Sequence, residues 1–226
     1  MIHLHFETCG EGYPLLLLHG NGEDLTFFNK QIKAFSAQYQ VYAIDTRGHG
    51  KSPRGEGTFS IRRFAEDLYD FMQWQGIEKA HILGFSDGAN IAMYFALAHP
   101  EKIGKLILNG GNLYPSGLKA YFNLPCQIGY RLLKLLPGKS GEVQHFYELL
   151  ALMTLEPQIA PQALGSIDVP TLVLAGSRDI VKFEHTRLIA KSLPCAKIKI
   201  LEGGHCLATS CPNAYNQVIL DFLKQS

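Results

Sequence analysis

Residues 81–98 read HILGFSDGANIAMYFALA, and this stretch decides the predicted fold. The run at 81–84 is short and mostly apolar, which indicates a strand, whereas 87–98 is apolar nearly all round, as in a deeply buried helix. Between them, residues 84–88 match the pattern G-x-S-x-G with Ser86 at its centre. Glycine on both sides of a serine allows a strained turn with close neighbours. The stretch therefore predicts a strand, a sharp turn and a buried helix.

Short apolar runs and longer helical patterns alternate on both sides of this stretch. The predicted strands are 15–18, 41–44, 81–84, 106–108, 171–174 and 198–201, with an alternating edge strand at 2–8. The predicted helices are 24–38, 60–75, 87–98 and a last one that begins at Pro212. Most of the strands lack polar alternation, as expected when both faces of a sheet are covered. The pattern predicts an α/β fold with a mostly parallel, doubly wound sheet.

The segment of about 112–165 interrupts this alternation. It lies between two predicted strands, supplies no strand of its own and is rich in proline. Its periodicity predicts short helices at roughly 118–135 and 141–155. An insertion over one end of the sheet is the simplest interpretation. We therefore expect one domain over 1–226 that carries a short helical lid.

The composition is that of an ordinary globular protein, with 46% hydrophobic residues, 18% charged residues and a formal net charge of +1. A near-neutral charge argues against nucleic-acid binding, which usually needs a strongly basic face. The five cysteines form no C-x-x-C pair, which favours reduced thiols. The apolar run near the N-terminus is far shorter than the ~18 residues of a membrane span. We expect a cytoplasmic protein without a membrane partner.

Ser86 is the candidate nucleophile. The predicted turn would lift its hydroxyl out of the fold at a helix N-terminus, where developing negative charge is favoured. A serine hydroxyl becomes a good nucleophile only when a base takes its proton. Among the nine histidines, His205 follows the last predicted strand through two glycines. It would therefore lie at the carboxyl edge of the sheet, beside Ser86, which makes it the candidate base.

A histidine that acts as a base needs a carboxylate to orient it. Asp179 follows the predicted strand 171–174 and would lie at the carboxyl edge, whereas Asp168 precedes that strand and would lie at the opposite edge. The end of the strand 106–108 is the other position from which an acid could orient the histidine. Asparagines follow that strand, and an asparagine cannot carry a negative charge. Asp179 is therefore the candidate partner of His205.

The candidate oxyanion site is formed by two loops. Residues 19–22, His-Gly-Asn-Gly, follow a predicted strand, and their glycines allow a tight turn that presents a backbone N–H at the sheet edge. The N–H of Asn21 and the N–H of Asp87, the residue after the serine, are the candidate donors. We expect His19 to brace the loops by hydrogen bonds.

These motifs together resemble the α/β-hydrolase superfamily over residues of about 13–110 and 168–226. In chain order they are HGNG at 19–22, DTRGHGKS at 45–52, GFSDG at 84–88, GSRD at 176–179 and GGH at 203–205. The most similar branch contains small esterases, C–C bond hydrolases and iminopeptidase-like enzymes.

The resemblance assigns roles to the candidate residues. It implies Ser86 as nucleophile, His205 as base and Asp179 as its partner, in the chain order of this superfamily. It also implies oxyanion donors at Asn21 and Asp87. In addition, it makes the stretch at 45–52 a structural turn, so that Arg47 and His49 belong to the scaffold.

The expected function is a serine hydrolase that cleaves a small or medium uncharged carboxylic ester through an acyl-enzyme. The carboxylate of Asp87 would disfavour anionic substrates. A C–C bond hydrolase or lyase and an iminopeptidase are alternatives, and a ligand-binding protein without turnover is a third. An iminopeptidase would need an acidic amine site, for which the insertion offers Glu142, Glu148 and Glu156. We expect a small-molecule substrate, no metal and no cofactor; the oligomeric state is left open.

Overall fold

Seven strands form one sheet within residues 2–225, the part of the chain that the computed structural model describes. They are β1 (Phe6–Cys9), β2 (Pro14–Leu18), β3 (Gln40–Ile44), β4 (Ala80–Phe85), β5 (Ile103–Asn109), β6 (Thr171–Gly176) and β7 (Ala196–Leu201). Their order across the sheet is β1-β3-β2-β4-β5-β6-β7. Only β1 is antiparallel to its neighbour. The predicted mostly parallel α/β sheet is confirmed.

Helices connect the strands and cover both faces of the sheet. The α-helices are α1 (Asn29–Phe35), α2 (Ile61–Trp74), α3 (Asp87–Ala98), α4 (Ala120–Lys134), α5 (Gly141–Leu155), α6 (Phe183–Ser192), α7 (Leu207–Ser210) and α8 (Pro212–Lys224). Short 3-10 turns lie at Leu25–Phe28, Pro100–Lys102, Pro115–Gly117 and Pro161–Ser166. None of the helices in the described residues is both long enough and apolar enough to cross a membrane.

The side chains of β2 show how the sheet is covered on both faces. Leu16 and Leu18 pack into an apolar cluster that includes side chains of α2, α3 and α6. Leu15 and Leu17 point to the other face and pack with side chains of α1 and α8. Successive residues of a strand point to opposite faces, so a strand covered on both sides is apolar throughout.

The strand order positions the functional site. The chain leaves β2 toward β3 on one side of the sheet and leaves β4 toward β5 on the other. In open parallel sheets, the crevice outside the carboxyl ends of two such strands is the usual place of a ligand site. The loop at 19–22 follows β2 and Ser86 follows β4, so both lie at this crevice.

The structure corrects two predicted elements. The edge strand expected over 2–8 is β1, which begins four residues later, because it can pair only along the length of its single neighbour β3. The helix expected over 24–38 is a 3-10 turn followed by the shorter α1, an arrangement common at helix N-termini. Asp24 caps that turn, and its carboxylate accepts the N–H of Thr26 at 2.9 Å.

The predicted helices of the insertion, residues 112–165, are confirmed as α4 and α5. Two carboxylates connect this insertion to the rest of the protein. Glu148 of α5 forms an ion pair with Arg54, whose Nε donates to Oε2 at 3.0 Å. Glu156 accepts the backbone N–H of Ile61, the first residue of α2, at 2.7 Å. The insertion is thereby attached through the middle of α5 and through the residue that follows its C-terminus.

Arg47 belongs to the scaffold, as expected. Its guanidinium donates from Nε to Oδ2 of Asp67 at 2.6 Å and from Nη2 to Oδ1 at 2.5 Å. The side chains are only 2% and 4% exposed, so water cannot replace either partner. The pair joins the loop after β3 to α2. Removal of one partner leaves a buried charge without compensation, which is strongly destabilising.

The substitution Asp67→Asn should lower the free energy of unfolding by about 3 kcal/mol, because it leaves the Arg47 charge buried and unpaired. Urea denaturation measures the change. The matched control is Glu202→Gln, which breaks the highly exposed pair with Arg178 and should cost less than about 1 kcal/mol. Equal losses in the two variants would contradict the structural role of the Arg47–Asp67 pair.

Candidate active site

Ser86 lies in the sharp turn between β4 and α3. Its φ of +53° is the one positive value at a non-glycine residue in the described part of the chain, a conformation that costs about 1–3 kcal/mol. The backbone N–H of Ser86 donates to the carbonyl of Asn109 at 2.8 Å and so holds the turn against β5. A Cβ at Gly84 or Gly88 would overlap with backbone atoms of Gly88 or Leu18. Both glycines of the motif are therefore required by close packing.

His205 and Asp179 continue a chain of hydrogen bonds that begins at the hydroxyl of Ser86. Nε2 of His205 lies 3.0 Å from Oγ of Ser86, and Nδ1 lies 2.6 Å from Oδ1 of Asp179. An ionised carboxylate can only accept, so Nδ1 carries the proton and Nε2 is left to accept from the hydroxyl. The structure brings together the three residues that the sequence placed at this edge.

The carboxylate of Asp179 is buried and held by its own loop. Oδ1 accepts the N–H of Val181 at 3.1 Å, and Oδ2 accepts the N–H of Gly176 at 3.2 Å. Burial would raise its pKa, but His205 and the backbone donors outweigh burial and hold the pKa of Asp179 below its ordinary value. Room for the imidazole comes from Gly110, where a Cβ would lie 2.7 Å from Cε1 of His205.

His19 braces the loop after β2, as predicted. Its Nε2 accepts the backbone N–H of Thr46 at 3.0 Å. The ring proton is therefore on Nδ1, which donates to the carbonyl of Gly20 at 2.7 Å. Burial lowers the pKa of His19 and so favours the neutral form that this arrangement needs. The imidazole ties the loop after β2 to the loop after β3.

Asn21 and Asp87 connect the same loop to the Ser86 turn. The side-chain amide of Asn21 donates to Oδ2 of Asp87 at 2.8 Å and to the carbonyl of Leu149, in α5, at 3.2 Å. The backbone N–H of Asp87 lies in the first turn of α3, where N–H groups have no acceptor within the helix. Both residues line one cavity with Ser86, so their N–H groups remain the candidate oxyanion donors.

This cavity, called here the Ser86 cavity, has a volume of about 590 Å³ including its open mouth. The sheet side contributes the Ser86 turn and the His205 loop, and the insertion contributes the facing wall. Its apolar lining is Phe85, Leu118, Phe122, Met153 and Ile180. The predicted helical lid therefore forms part of the cavity wall.

Three carboxyl groups also line the Ser86 cavity, and burial raises the pKa of each. The pKa of Glu23 rises to about 7, although its carboxylate accepts the N–H of Gly20 at 3.0 Å. Burial likewise raises the pKa of Asp87, against the hydrogen bonds from two asparagine amides. Burial also raises the pKa of Glu156, and the neighbouring Asp87 adds to this rise. The cavity lining is thus acidic in composition, and its three carboxyl groups are partly shielded from water.

Comparison with known proteins identifies the family. The family model of the alpha/beta hydrolase fold matches residues 13–132, more than half of the chain. The chain belongs to the α/β-hydrolase fold family. The sheet order, the strained serine turn and the chain order Ser86, Asp179, His205 agree with this assignment.

Three similar proteins cover nearly all of this α/β hydrolase. A protein of Azorhizobium caulinodans named as a carbamate hydrolase, RutD, is 30% identical over 97% of this chain and 94% of its own length. A 2-hydroxy-6-oxo-6-phenylhexa-2,4-dienoate hydrolase of Comamonas testosteroni is 28% identical over 98% of this chain and 91% of its own. The solved structure of an esterase from a marine microorganism is 26% identical with a TM-score of 0.77, covering 98% of this chain and all of the other.

Glu23 and Asn112 were not predicted from the sequence as residues of the site of this α/β hydrolase. Both line the Ser86 cavity, and both follow a core strand at the carboxyl edge, which is the signal that could have identified them. Of the three carboxylates considered in the insertion, only Glu156 lines the cavity. Within residues 2–225, no group of three or more His, Cys, Asp or Glu side chains is arranged to hold a metal ion.

His49 lies beneath the braced loops and is 5% exposed. Its ring centroid is 5.2 Å from that of His19, and its Nδ1 lies 3.0 Å from the carbonyl of Arg47. Burial, together with the neighbouring His19, lowers the pKa of His49 to about 4. As the pH falls from 7 toward 4, the unfolded chain takes up a proton at this residue before the folded protein does. The free energy of unfolding therefore decreases over that window.

The variant His49→Gln should lose about 1 kcal/mol less stability than the wild type when the pH is lowered from 7 to 5.5. Urea denaturation at both pH values measures the difference. The raised pKa values of Glu23, Asp87 and Glu156 act in the opposite direction, but they are common to both proteins and cancel in the comparison. The exposed His3→Gln is the control, and an equal acid response of His49→Gln and wild type would contradict the burial effect.

Proposed function

We propose that this chain is a serine hydrolase that cleaves small or medium carboxylic esters through an acyl-enzyme. The observation that carries the proposal is the chain of hydrogen bonds from Ser86 through His205 to Asp179, with distances of 3.0 and 2.6 Å. A hydroxyl, an imidazole acceptor and a buried carboxylate in this order are the groups that acyl transfer by a serine nucleophile requires.

The proposed reaction begins when Oγ of Ser86 attacks the ester carbonyl carbon. The hydroxyl proton passes to Nε2 of His205, and the carboxylate of Asp179 stabilises the resulting imidazolium. The tetrahedral intermediate collapses with cleavage of the ester C–O bond. The alcohol leaves with the proton from His205, and the acyl group stays on Ser86. Water then attacks the acyl-enzyme by the same proton transfers, which releases the acid and restores the serine.

In both halves of this reaction, negative charge develops on the carbonyl oxygen and must be stabilised. The backbone N–H groups of Asn21 and Asp87 are the proposed donors to the oxyanion, and each such donor contributes about 3–4 kcal/mol of transition-state stabilisation. The N-terminus of α3 lies directly behind Ser86 and adds a favourable dipole. Both loops are held by hydrogen bonds before substrate arrives, so little reorganisation is needed.

The Ser86 cavity supports the proposed substrate class. The apolar part of its wall suits an uncharged acyl or alcohol group. Glu23, Asp87 and Glu156 line the cavity, and no Lys or Arg of the described residues does. An anionic group would meet like charges there, so we propose an ester without negative charge.

C–C bond hydrolysis is the second candidate, because the Comamonas testosteroni relative is named as a dienoate hydrolase. The same serine, histidine and oxyanion donors would serve either reaction. A dienoate carries a carboxylate, however, and the acidic lining of the Ser86 cavity opposes such a substrate. We therefore favour the ester over the C–C substrate and over an amide, whose leaving group is poorer.

The five cysteines are all free thiols, which supports a reducing environment. We accordingly propose a cytoplasmic location. The proposed steps use only side chains and backbone groups of this chain together with water, so the proposal includes no metal and no organic cofactor.

Ser86→Ala should abolish ester hydrolysis, because within residues 2–225 the hydroxyl of Ser86 is the only one that hydrogen-bonds His205, and the variant should keep its fold. Turnover of phenyl acetate and butyrate esters, together with labelling by a fluorophosphonate probe, measures the effect. The wild type should be labelled and the variant should not. A panel with an anilide and a dienoate then separates the candidates: faster turnover of either than of the esters, or hydrolysis by Ser86→Ala, would contradict the proposal.

Asp179→Asn should lower kcat for the same esters by about 10³- to 10⁴-fold, because an amide neither fixes the tautomer of His205 nor stabilises its imidazolium. The matched control is Asp168→Asn at the opposite, exposed edge of the sheet, which should leave kcat within about twofold. Circular dichroism shows whether both variants are folded. A folded Asp179→Asn variant with nearly full activity would remove Asp179 from the proposed mechanism.

A further inference from the structure

The acidic lining of the Ser86 cavity has no countercharge from the protein. Within residues 2–225, Glu23, Asp87 and Glu156 form no ion pair with a lysine or arginine inside 4 Å. The titratable groups near them are the imidazole of His205, which faces Glu23 and Asp87, the guanidinium of Arg62 near Glu156, and the carboxylates of Asp24 near Glu23 and of Asp87 near Glu156. Carboxylates that are shielded from water are usually paired, because an unpaired charge there is costly.

Asp87 is the carboxylate with the most specific placement. Its Oδ2 accepts from the amide of Asn21 at 2.8 Å and its Oδ1 from the amide of Asn90 at 3.1 Å. Both donors are neutral, so they orient the carboxylate without neutralising it. Asp87 is also the residue next to Ser86, and adjacent Cα atoms are only about 3.8 Å apart. A group bound by this carboxylate would therefore lie close to the scissile carbonyl.

Asn112 provides a second, independent sign that the cavity is built for a polar ligand. The residue is 6% exposed and lines the Ser86 cavity. Its backbone N–H donates to Oδ1 of Asn90 at 2.9 Å, and its own Oδ1 accepts from Nδ2 of Asn90 at 3.2 Å. Its Nδ2 has no acceptor among the described residues. A buried amide donor without a partner is costly, and an oxygen atom of a ligand would satisfy it.

We propose that the Ser86 cavity accepts esters whose acyl group carries a protonated amino group on its α- or β-carbon, and that the carboxylate of Asp87 binds this ammonium group. The inference rests on the proposed ester hydrolysis and names its substrate class. An amino ester supplies both complements at once: a cation for the carboxylate and oxygen acceptors for the free amide of Asn112. An ammonium has three N–H donors, so Glu23 or Glu156 can accept from it as well.

The raised pKa values of the three carboxyl groups agree with this assignment. A group whose ionised form is disfavoured by burial regains that form when a cation binds beside it. The substrate charge thus replaces the countercharge that the protein lacks. This inference departs from the uncharged ester expected from the sequence, because three carboxyl groups from separate parts of the chain meet in the folded cavity.

The first test compares matched esters on the wild-type protein at pH 6.5, where an α-amino group is largely protonated. Phenylalanine methyl ester carries the amine, 3-phenylpropionate methyl ester lacks it, and monomethyl phenylsuccinate carries a carboxylate instead. We expect kcat/KM to be at least about tenfold higher for the amino ester than for the ester without the amine, and lowest for the anionic ester. Equal values for the first two esters would overturn the inference.

The second test assigns the ammonium to Asp87. In Asp87→Asn the ratio of kcat/KM between the two esters should fall on the order of 10- to 100-fold, because a charge-assisted hydrogen bond is lost. The matched control is Glu142→Gln, an exposed carboxylate of the insertion outside the cavity, which should keep the wild-type ratio. An unchanged ratio in folded Asp87→Asn would remove Asp87 from ammonium binding.

Binding to Ser86→Ala gives a readout that does not depend on turnover or on the folding of Asp87→Asn. Calorimetry should show a Kd for phenylalanine methyl ester at least about tenfold lower than for 3-phenylpropionate methyl ester; equal affinities would overturn the inference. The wild type separates this inference from the proposed function. Fluorophosphonate labelling with equal hydrolysis of both esters refutes only the amine preference, whereas no labelling and no hydrolysis refute both.

Discussion

The close approach of α3 to β2 is the constraint on which the site depends. At Gly88 the helix lies so near the carbonyl of Leu18 that no side chain fits between them. This approach forces Ser86 into its positive φ and brings the turn beside the loop at 19–22. Because β2 and β4 are neighbours at the point where the sheet connections diverge, Ser86 and the loop that carries Asn21 share one crevice.

The helical insertion converts this crevice into a cavity. It is attached through Glu148 to Arg54 and through Glu156 to the start of α2, while the amide of Asn21 reaches the carbonyl of Leu149. These contacts connect the insertion directly to the loop that carries a proposed oxyanion donor. A movement of α5 would therefore displace the loop that carries Asn21 as well as the cavity wall.

Asp87 links the proposed chemistry to the proposed specificity. Its backbone N–H lies in the first turn of α3, where the helix provides no acceptor, and Asn21 and Asn90 hold its side chain by hydrogen bonds. An uncharged residue at this position would still supply the N–H. The carboxylate is therefore the part of Asp87 that would discriminate between substrates. It has no cationic partner within residues 2–225 of the protein, so it is the group in the cavity that points most directly to a cationic substrate.

The sequence by itself determined the parallel sheet, the two helices of the insertion and the edge at which Ser86, Asp179 and His205 meet. Each of these rests on local patterns: apolar strands, glycine turns, and the rule that parallel strands end at one edge. Only the tertiary structure decided the length of β1, the division of the helix at 24–38, and the meeting of Glu23 and Glu156 in one cavity. These features depend on how distant segments pack and on the orientation of their side chains, and a local sequence pattern predicts neither.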